Sequence, residues 1–485
     1  MTIRKKIVLT AAAAAVLSLS GPAFAGGFQL NEQSITGLGR AFAGEGIMGD
    51  DLSATWYNPA GMTLLSGTQV QLGGVENAMD MSYKGTDGST ENGRKRISPI
   101  LHQMVTHQFN DKIWGGLAIV MPFGLADSYN QNWEGAERGY DAKLLTININ
   151  PSVAWKINDK FSVGAGFSAQ YIDATVSMKR NLLGQNVYSR LDADDWGYGW
   201  NIGGMWSATD NFRMGFGYRS AITHKAHGTV KLTTDAAGQK AIVAAAQNAK
   251  LNPPGSTQAA SMIAAMRQAN LSFADVMGIA QSGAMTLNGG AQMDAPANAN
   301  LTFVWKYSPK MRLSGSIRWT DWSSFDNLII NAGGLPHSQT DVPMKWRDSW
   351  FFSLGYDLDI TPKWTIRGGV AYDRSPISNP RYRTALIPDA NRIWATLGAT
   401  YRMNEHWQFD IAATHIHGIG ERNLYASQDA NSQKIGRFDK LNCYMVGAGR
   451  LPLLILRFRG RLFCGLLRIK ERPHGSSHEA SLLPQ

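Results

Sequence analysis

The 485-residue chain is 44% hydrophobic and 17% charged, with a formal net charge of +10. The first 25 residues supply +3 of that and the last 36 a further +5, so residues 26–449 hold only +2 and give no electrostatic case for a nucleic-acid partner. Both cysteines, Cys443 and Cys464, fall near the C-terminal end, which leaves the body without thiols for a disulfide framework or a cysteine metal site.

The chain opens with Arg4, Lys5 and Lys6, an apolar run from Ile7 to Leu19, and the small-x-small triplet Ala23-Phe24-Ala25. This is the pattern of a secretory signal peptide over 1–25, and the run is shorter than the roughly 20 apolar residues that a spanning helix needs. Residues 26–66 follow as a glycine-punctuated stretch, GGFQLNEQSITGLGRAFAGEG and then WYNPAGM, suited to neither a strand nor a long helix. Gly37, Gly39, Gly44, Gly46 and Gly49 permit tight bends, and Asn58-Pro59 initiates a turn.

From about residue 68 the dominant period is two. In FSVGAGFSAQY (161–171), MRLSGSIRW (311–319), WTIRGGVAY (364–372) and FRMGFGYR (212–219), large apolar residues alternate with small or polar ones, as in strands with two unlike faces. Six short polar turns punctuate them, at 109–113, 157–161, 207–212, 307–311, 359–364 and 403–407. Large side chains flank each: Phe109, Trp155, Trp206, Tyr307, Tyr356 and Tyr401 before, Trp114, Phe161, Phe212, Trp364 and Trp407 after. Rings at one height beside every short turn predict an interfacial girdle.

The other connections read as long and polar, at about 84–97, 122–142, 181–194, 233–283, 331–344, 374–390 and 418–436. Six short turns joining seven up-and-down pairs predict an all-β fold, a 14-stranded antiparallel transmembrane β-barrel over 67–449. A soluble sandwich with one wet face is the competing reading of alternation, without a girdle or strands of this length. The 233–283 loop is Ala/Gln/Met-rich. Its KAIVAAAQNAK and ASMIAAMRQA segments have helical composition, for a lid, an apolar landing surface or a self-packed decoration.

A ring of 14 strands leaves a lumen, and residues 26–66 begin at its periplasmic end, so they are placed to fold in as a plug. The stretch GGFQLNEQSITGLGRAFAGEG followed by NPA closely resembles the hatch of the FadL-type outer-membrane transporters of long-chain fatty acids. The resemblance continues through PFGLADSYN (122–130), DDWGYGWNIGGMW (194–206) and 346–407, in order over 26–449. It implies a 14-stranded barrel with an N-terminal hatch and passive lateral diffusion of a hydrophobic ligand through a wall gap at a kinked third strand. It further implies that Phe28 lies beside the ligand and that Asn58, Pro59 and Ala60 form the hatch motif. Pro122 and Gly124 would mark the exit kink, where a missing donor and a missing side chain also argue that pairing fails. Basic residues near the ends of strands five and ten grip the carboxylate in the family, and Arg180 and Lys345 stand nearest here. Relatives in the same class carry monoaromatic hydrocarbons; a general porin and an adhesin-like barrel are the remaining readings. The expected partners are a hydrophobic small molecule, outer-membrane lipid with lipopolysaccharide, and the barrel-assembly machinery, for a chain that works as a monomer.

No nucleophile–base constellation appears: Gly166-Phe167-Ser168-Ala169-Gln170 lacks the last glycine of a nucleophile elbow, and His415-Ile416-His417 has no carboxylate or cysteine companions. The expectation is a non-enzyme without metal or cofactor. Alternation stops after Gly449, where Pro452 argues against a central strand and Arg457, Arg459 and Arg461 argue against a membrane helix. The 450–485 tail is therefore read as the product of a reading-frame shift near Gly449, or else as a periplasmic extension.

Overall fold

The computed structural model describes residues 26–93, 99–182, 185–251, 273–332 and 339–452. The expected signal peptide (1–25), the ASMIAAMRQA segment and the tail beyond Pro452 lie outside the described residues. Fourteen strands in sequential antiparallel order form the wall, several of them broken into two segments. They are β1 Thr68–Gly85, β2 Ile100–Gln108, β3 Ile113–Val120 with Gly124–Ser128, β4 Asp141–Lys156, β5 Phe161–Leu182, β6 Gln185–Thr209 and β7 Phe212–Arg219 with Ile222–Thr233. The others are β8 Ala284–Ala295 with Asn298–Ser308, β9 Met311–Thr320 with Asn327–Ala332, β10 Gln339–Pro343 with Ser349–Asp359, β11 Trp364–Asp373, β12 Asn391–Arg402, β13 Trp407–Ile419 and β14 Lys434–Pro452. The ring closes where β1 pairs with β14, from Leu72 opposite Arg450 to Gly85 opposite Gly436.

Alternation becomes inside and outside. On β13, Phe409, Ile411, Ala413, His415 and His417 are exposed while Gln408, Asp410, Ala412, Thr414 and Ile416 are buried. Closure leaves no terminal edge strand, as strands in a lipid environment require because no water is there to pair an open one.

The six short turns share one device. A side-chain oxygen at the first turn position accepts two backbone amides: Asn110 from Lys112 and Ile113 (2.9 and 3.0 Å), Asn158 from Lys160 and Phe161 (both 2.9 Å), and Asn404 from His406 and Trp407 (2.8 and 2.9 Å). Thr209, Ser308 and Thr361 do the same through their hydroxyls. Beside these turns Phe109, Trp155, Phe161, Trp206, Tyr307 and Trp364 are exposed on the outer surface, with Phe161 stacked on Trp206 at 6.2 Å. Trp114 does not join them. It is buried, its indole N–H donates to the Leu65 carbonyl at 2.7 Å, and Ile113 takes the outward position instead.

The opposite rim differs from the expectation in several places. Residues 181–194 are not a long loop: β5 and β6 stay paired through Leu182 opposite Gln185, because their alternation continues beyond the bilayer. Residues 124–128 are not loop either; Gly124–Ser128 pairs with β4 and is buried throughout. Short strands also occupy parts of the first and last long connections, Thr90–Asn92 and Asn423–Tyr425. Among the described residues between Thr233 and Ala284, two helices (Ala236–Leu251 and Phe273–Ser282) bury Ile242, Val276 and Ile279 against Val187, Leu191, Val230 and Leu232 of the β6 and β7 extensions. At the C-terminal end, β14 runs past Gly449: Leu451 and Pro452 still pair with Gln408 and Trp407.

Candidate ligand-binding site

Residues 26–66 lie against the lumen-facing side chains of the wall. They contain only brief helices, Ile35–Gly39 and Ala54–Tyr57, and a 3₁₀ turn at Pro59–Leu64. Short elements of this kind cannot hold themselves, and charge pairs with the wall replace internal packing. Arg40 binds Asp50 of its own segment at 2.7 Å and Asp357 of β10 at 3.4 Å, while Arg367 of β11 binds Asp357 at 2.8 Å. Arg318 of β9 meets Glu45 through its Nε at 3.1 Å, and a second contact makes the pair bidentate. All of these groups but Asp50 are essentially inaccessible, so removing one partner strands a buried charge.

The NPA motif is a cap and an anchor. Asn58 Oδ1 accepts the Ala60 amide at 3.1 Å, its Nδ2 donates to the Gly204 carbonyl at 3.0 Å, and Pro59 opens the 3₁₀ turn. Ala60 packs with Ile47, Met48, Met205 and Val304. Glu32 is fully buried with both carboxylate oxygens unpartnered among the described residues. Burial pushes its carboxyl up to about 7, against the opposing pull of Arg392 and Arg318.

Phe28 sits in an aromatic cluster. Its ring lies 4.7 Å from Trp322, 5.5 Å from Phe325, 5.9 Å from Phe123 and 6.0 Å from Trp346. Gly27 makes the approach possible: its φ is +68°, and a Cβ there would fall 2.6 Å from the Trp346 ring. On its other side Phe28 lines a cavity whose walls are largely aliphatic, including Leu125, Leu144, Ile172, Val176, Met293 and Leu386. The basic groups lining it are Arg138, Lys143 and His224. Arg138 donates to the Tyr425, Arg381 and Arg383 carbonyls at 3.2, 3.3 and 3.0 Å, and burial lowers its pKa. Lys143 pairs with Asp173 at 3.3 Å.

The sequence-predicted residues do not all converge. Phe28 and the Pro122–Gly124 segment meet: Gly124 N donates to the Phe28 carbonyl at 3.0 Å and Leu30 N to the Pro122 carbonyl at 2.8 Å, with Gln29 bridged to Phe123. Arg180 is half-buried near the far end of β5, and Lys345 is exposed with its ammonium 5.5 Å from the Tyr382 ring. Neither lines the cavity. Arg138, Lys143 and the Trp322–Phe325–Trp346 trio escaped sequence reasoning; the one available hint was the aromatic density of WTDWSSF and KWRDSW.

At the kink, β3 and β4 keep register through Val120 opposite Asn148 and resume at Gly124 opposite Leu145, so β3 carries one extra residue. Thr146 fills the bulge, its hydroxyl donating to the Phe123 carbonyl at 2.7 Å and accepting the Phe123 amide at 2.9 Å. Pairing with β2 ends at Gln103 opposite Ile119, and beyond it the free edge of β3 is bonded to residues 28–30. The wall is therefore open between β2 and the second half of β3.

The family model described as "Outer membrane protein transport protein (OMPP1/FadL/TodX)" matches residues 16–440. The chain is 29% identical over 438 residues to the Long-chain fatty acid transport protein of Escherichia coli O6:H1, covering 84% of this chain and 91% of the relative. It is 28% identical to the 47 kDa outer membrane protein of Pasteurella multocida, with 85% and 92% covered. Among solved structures, a Pseudomonas aeruginosa FadL homologue superposes with a TM-score of 0.74 at 24% identity, over 88% of this chain and 99% of that one. The P. putida toluene transporter TodX gives 0.58 at 13% identity, over 83% and 94%. A closed 14-stranded wall, and a sequence match that spans nearly all of it, place this chain in the OMPP1/FadL/TodX family of outer-membrane transport proteins.

Proposed function

We propose that the chain takes up long-chain fatty acids or similarly hydrophobic molecules across the outer membrane, by passive diffusion and without covalent chemistry. The observation that carries this reading is the junction of the apolar Phe28 cavity with the bonded, bulged edge of β3 at Pro122–Gly124. A ligand enters the cavity from the outer mouth, displaces Phe28 from its ring cluster, and leaves sideways between β2 and β3 into the bilayer. Residues 26–66 act as the hatch that keeps polar solutes from following. Each methylene transferred from water gains about 0.8 kcal/mol in such surroundings, so an alkyl chain supplies the affinity.

Arg138 and Lys143 are better placed than Arg180 or Lys345 to meet a carboxylate at the cavity, because they line it. The relatives named for long-chain fatty acids and the basic cavity lining both favour an amphiphile over a bare aromatic hydrocarbon, the runner-up suggested by the TodX likeness. Equilibrium binding of labelled oleate and of toluene to the purified barrel tests the choice: oleate is expected to bind more tightly, and preference for toluene would reverse it. Extraction of the purified barrel followed by mass identification names the natural ligand.

A further inference from the structure

A second chamber lies beside the apolar cavity and is lined by Phe123, Pro122, Gln170, Asn201, Arg219 and Arg318, among others. Gln170 faces it and bonds His224 of the first cavity at 3.0 Å, so the two spaces are neighbours across that pair. Their chemistry differs. The first is walled almost wholly by hydrocarbon, whereas in the second the amides of Gln170 and Asn201 and the guanidinium groups of Arg219 and Arg318 stand among apolar and aromatic side chains.

Arg318 in this chamber is neutralised by Glu45. Arg219 is not: among the described residues no carboxylate pairs with it, although its side chain is buried. Its guanidinium stacks 3.4 Å above the Trp56 ring and donates to Ser168 Oγ (2.7 Å), the Trp56 carbonyl (2.7 Å) and Asn150 Oδ1 (3.2 Å), all neutral acceptors. A buried cation without a counter-charge is costly to keep. Beside it Asn201 uses Oδ1 to accept from Asn150 at 2.9 Å, which leaves Asn201 Nδ2 as a buried donor with no partner among the described residues. An uncompensated guanidinium and an orphaned amide donor lining one chamber form an anion-binding arrangement.

We propose that this chamber is a second head-group site, in which Arg219 and Asn201 receive the carboxylate of an amphiphile that has left the Phe28 cavity while its chain passes the wall at Pro122. The inference rests on the uptake reading above and adds to it a polar station on the exit side. It makes the exit selective for an anionic head, since an uncharged head leaves both donors unmet.

Uptake of labelled oleate and of oleyl alcohol by cells carrying the wild-type chain, Arg219→Gln or Arg219→Lys tests this, with heat-modifiable electrophoretic mobility reporting assembly. Arg219→Gln is expected to slow oleate uptake roughly tenfold, the worth of one charge-assisted contact, with oleyl alcohol uptake unchanged and Lys recovering part of the loss. Equal loss of acid and alcohol would mean that Arg219 only pins Trp56, and overturns the site. If Arg219→Gln does not assemble, crystals of the wild-type protein with 2-bromohexadecanoate decide: bromine beside Arg219 supports the site, and bromine in the Phe28 cavity alone overturns it. A wild-type chain that neither binds nor takes up oleate defeats the uptake reading itself, a different failure.

Discussion

The Pro122 carbonyl accepts the Leu30 amide at 2.8 Å, so at this point a wall strand is bonded to the segment inside the ring and not to the strand beside it. Proline contributes twice: it withholds a donor from β2, and its carbonyl still serves residue 30.

The first prediction concerns this contact. A Cβ on Gly124 would come 3.0 Å from Leu30 Cδ1, tighter than ordinary packing. Gly124→Val should push Leu30 away and weaken the Gly124–Phe28 bond, at a local cost of about 1–3 kcal/mol. Oleate uptake is expected to fall severalfold in a barrel that still assembles; an unchanged rate would mean that the kink is not on the route.

Phe28→Ala removes one ring from contact with four others. It also removes an aromatic face from the lining of the cavity, and burying a side chain of that size against an alkyl chain is worth about 1.5–3 kcal/mol. Oleate affinity should drop tenfold or more, on the order of 1.4 kcal/mol per decade. Tyr198→Ala, whose ring is exposed on the outer surface, is the control and should leave binding unchanged.

Arg318→Leu leaves Glu45 buried without its partner and should loosen residues 26–66 by about 3–5 kcal/mol. Single-channel conductance in planar bilayers is the readout, and it should rise. The double replacement Arg318→Leu with Glu45→Leu should return it most of the way, since the stranded charge is then gone; additive leakage in the double variant would argue against the pair.

Glu32 predicts a pH dependence. Its carboxyl is raised from 4.5 to about 7 by burial, so the packed segment holds a proton that the released segment gives up. Packing is therefore fully supported below about pH 4.5 and loses up to about 3 kcal/mol as pH climbs to 7. Residual conductance should be higher at pH 8 than at pH 5, and Glu32→Gln should flatten the difference. A profile unaltered by that substitution would assign the effect elsewhere.

Strand number was legible because each short turn begins with Asn, Thr or Ser, residues whose side chains close a turn locally, and because alternation is a property of neighbours. What was not legible depends on distance. Trp114 and Phe109 look alike as aromatic flanks; only the register of β3 turns one inward to Leu65. Arg138 lies in a stretch without periodicity, and its bonds to residues 381, 383 and 425 join loops more than 240 positions away. The β5–β6 extension reads as loop because Gln185, Asn186, Tyr188, Ser189 and Arg190 outnumber Val187 and Leu191, which are buried by helices that lie some 50 or more positions further along the chain. Likewise Arg219 and Trp56, 163 residues apart, carry no local signature of their contact.

The ion pairs that fasten residues 26–66 impose an order on biogenesis. Arg40 and Asp357 are separated by 317 positions and Glu45 and Arg318 by 273, so residues 26–66 find these partners only when the ninth and tenth strands are in place. Loop closure over such separations is slow relative to hairpin formation. Residues 26–66 are therefore fastened only after those strands are laid down, however early the segment itself is made.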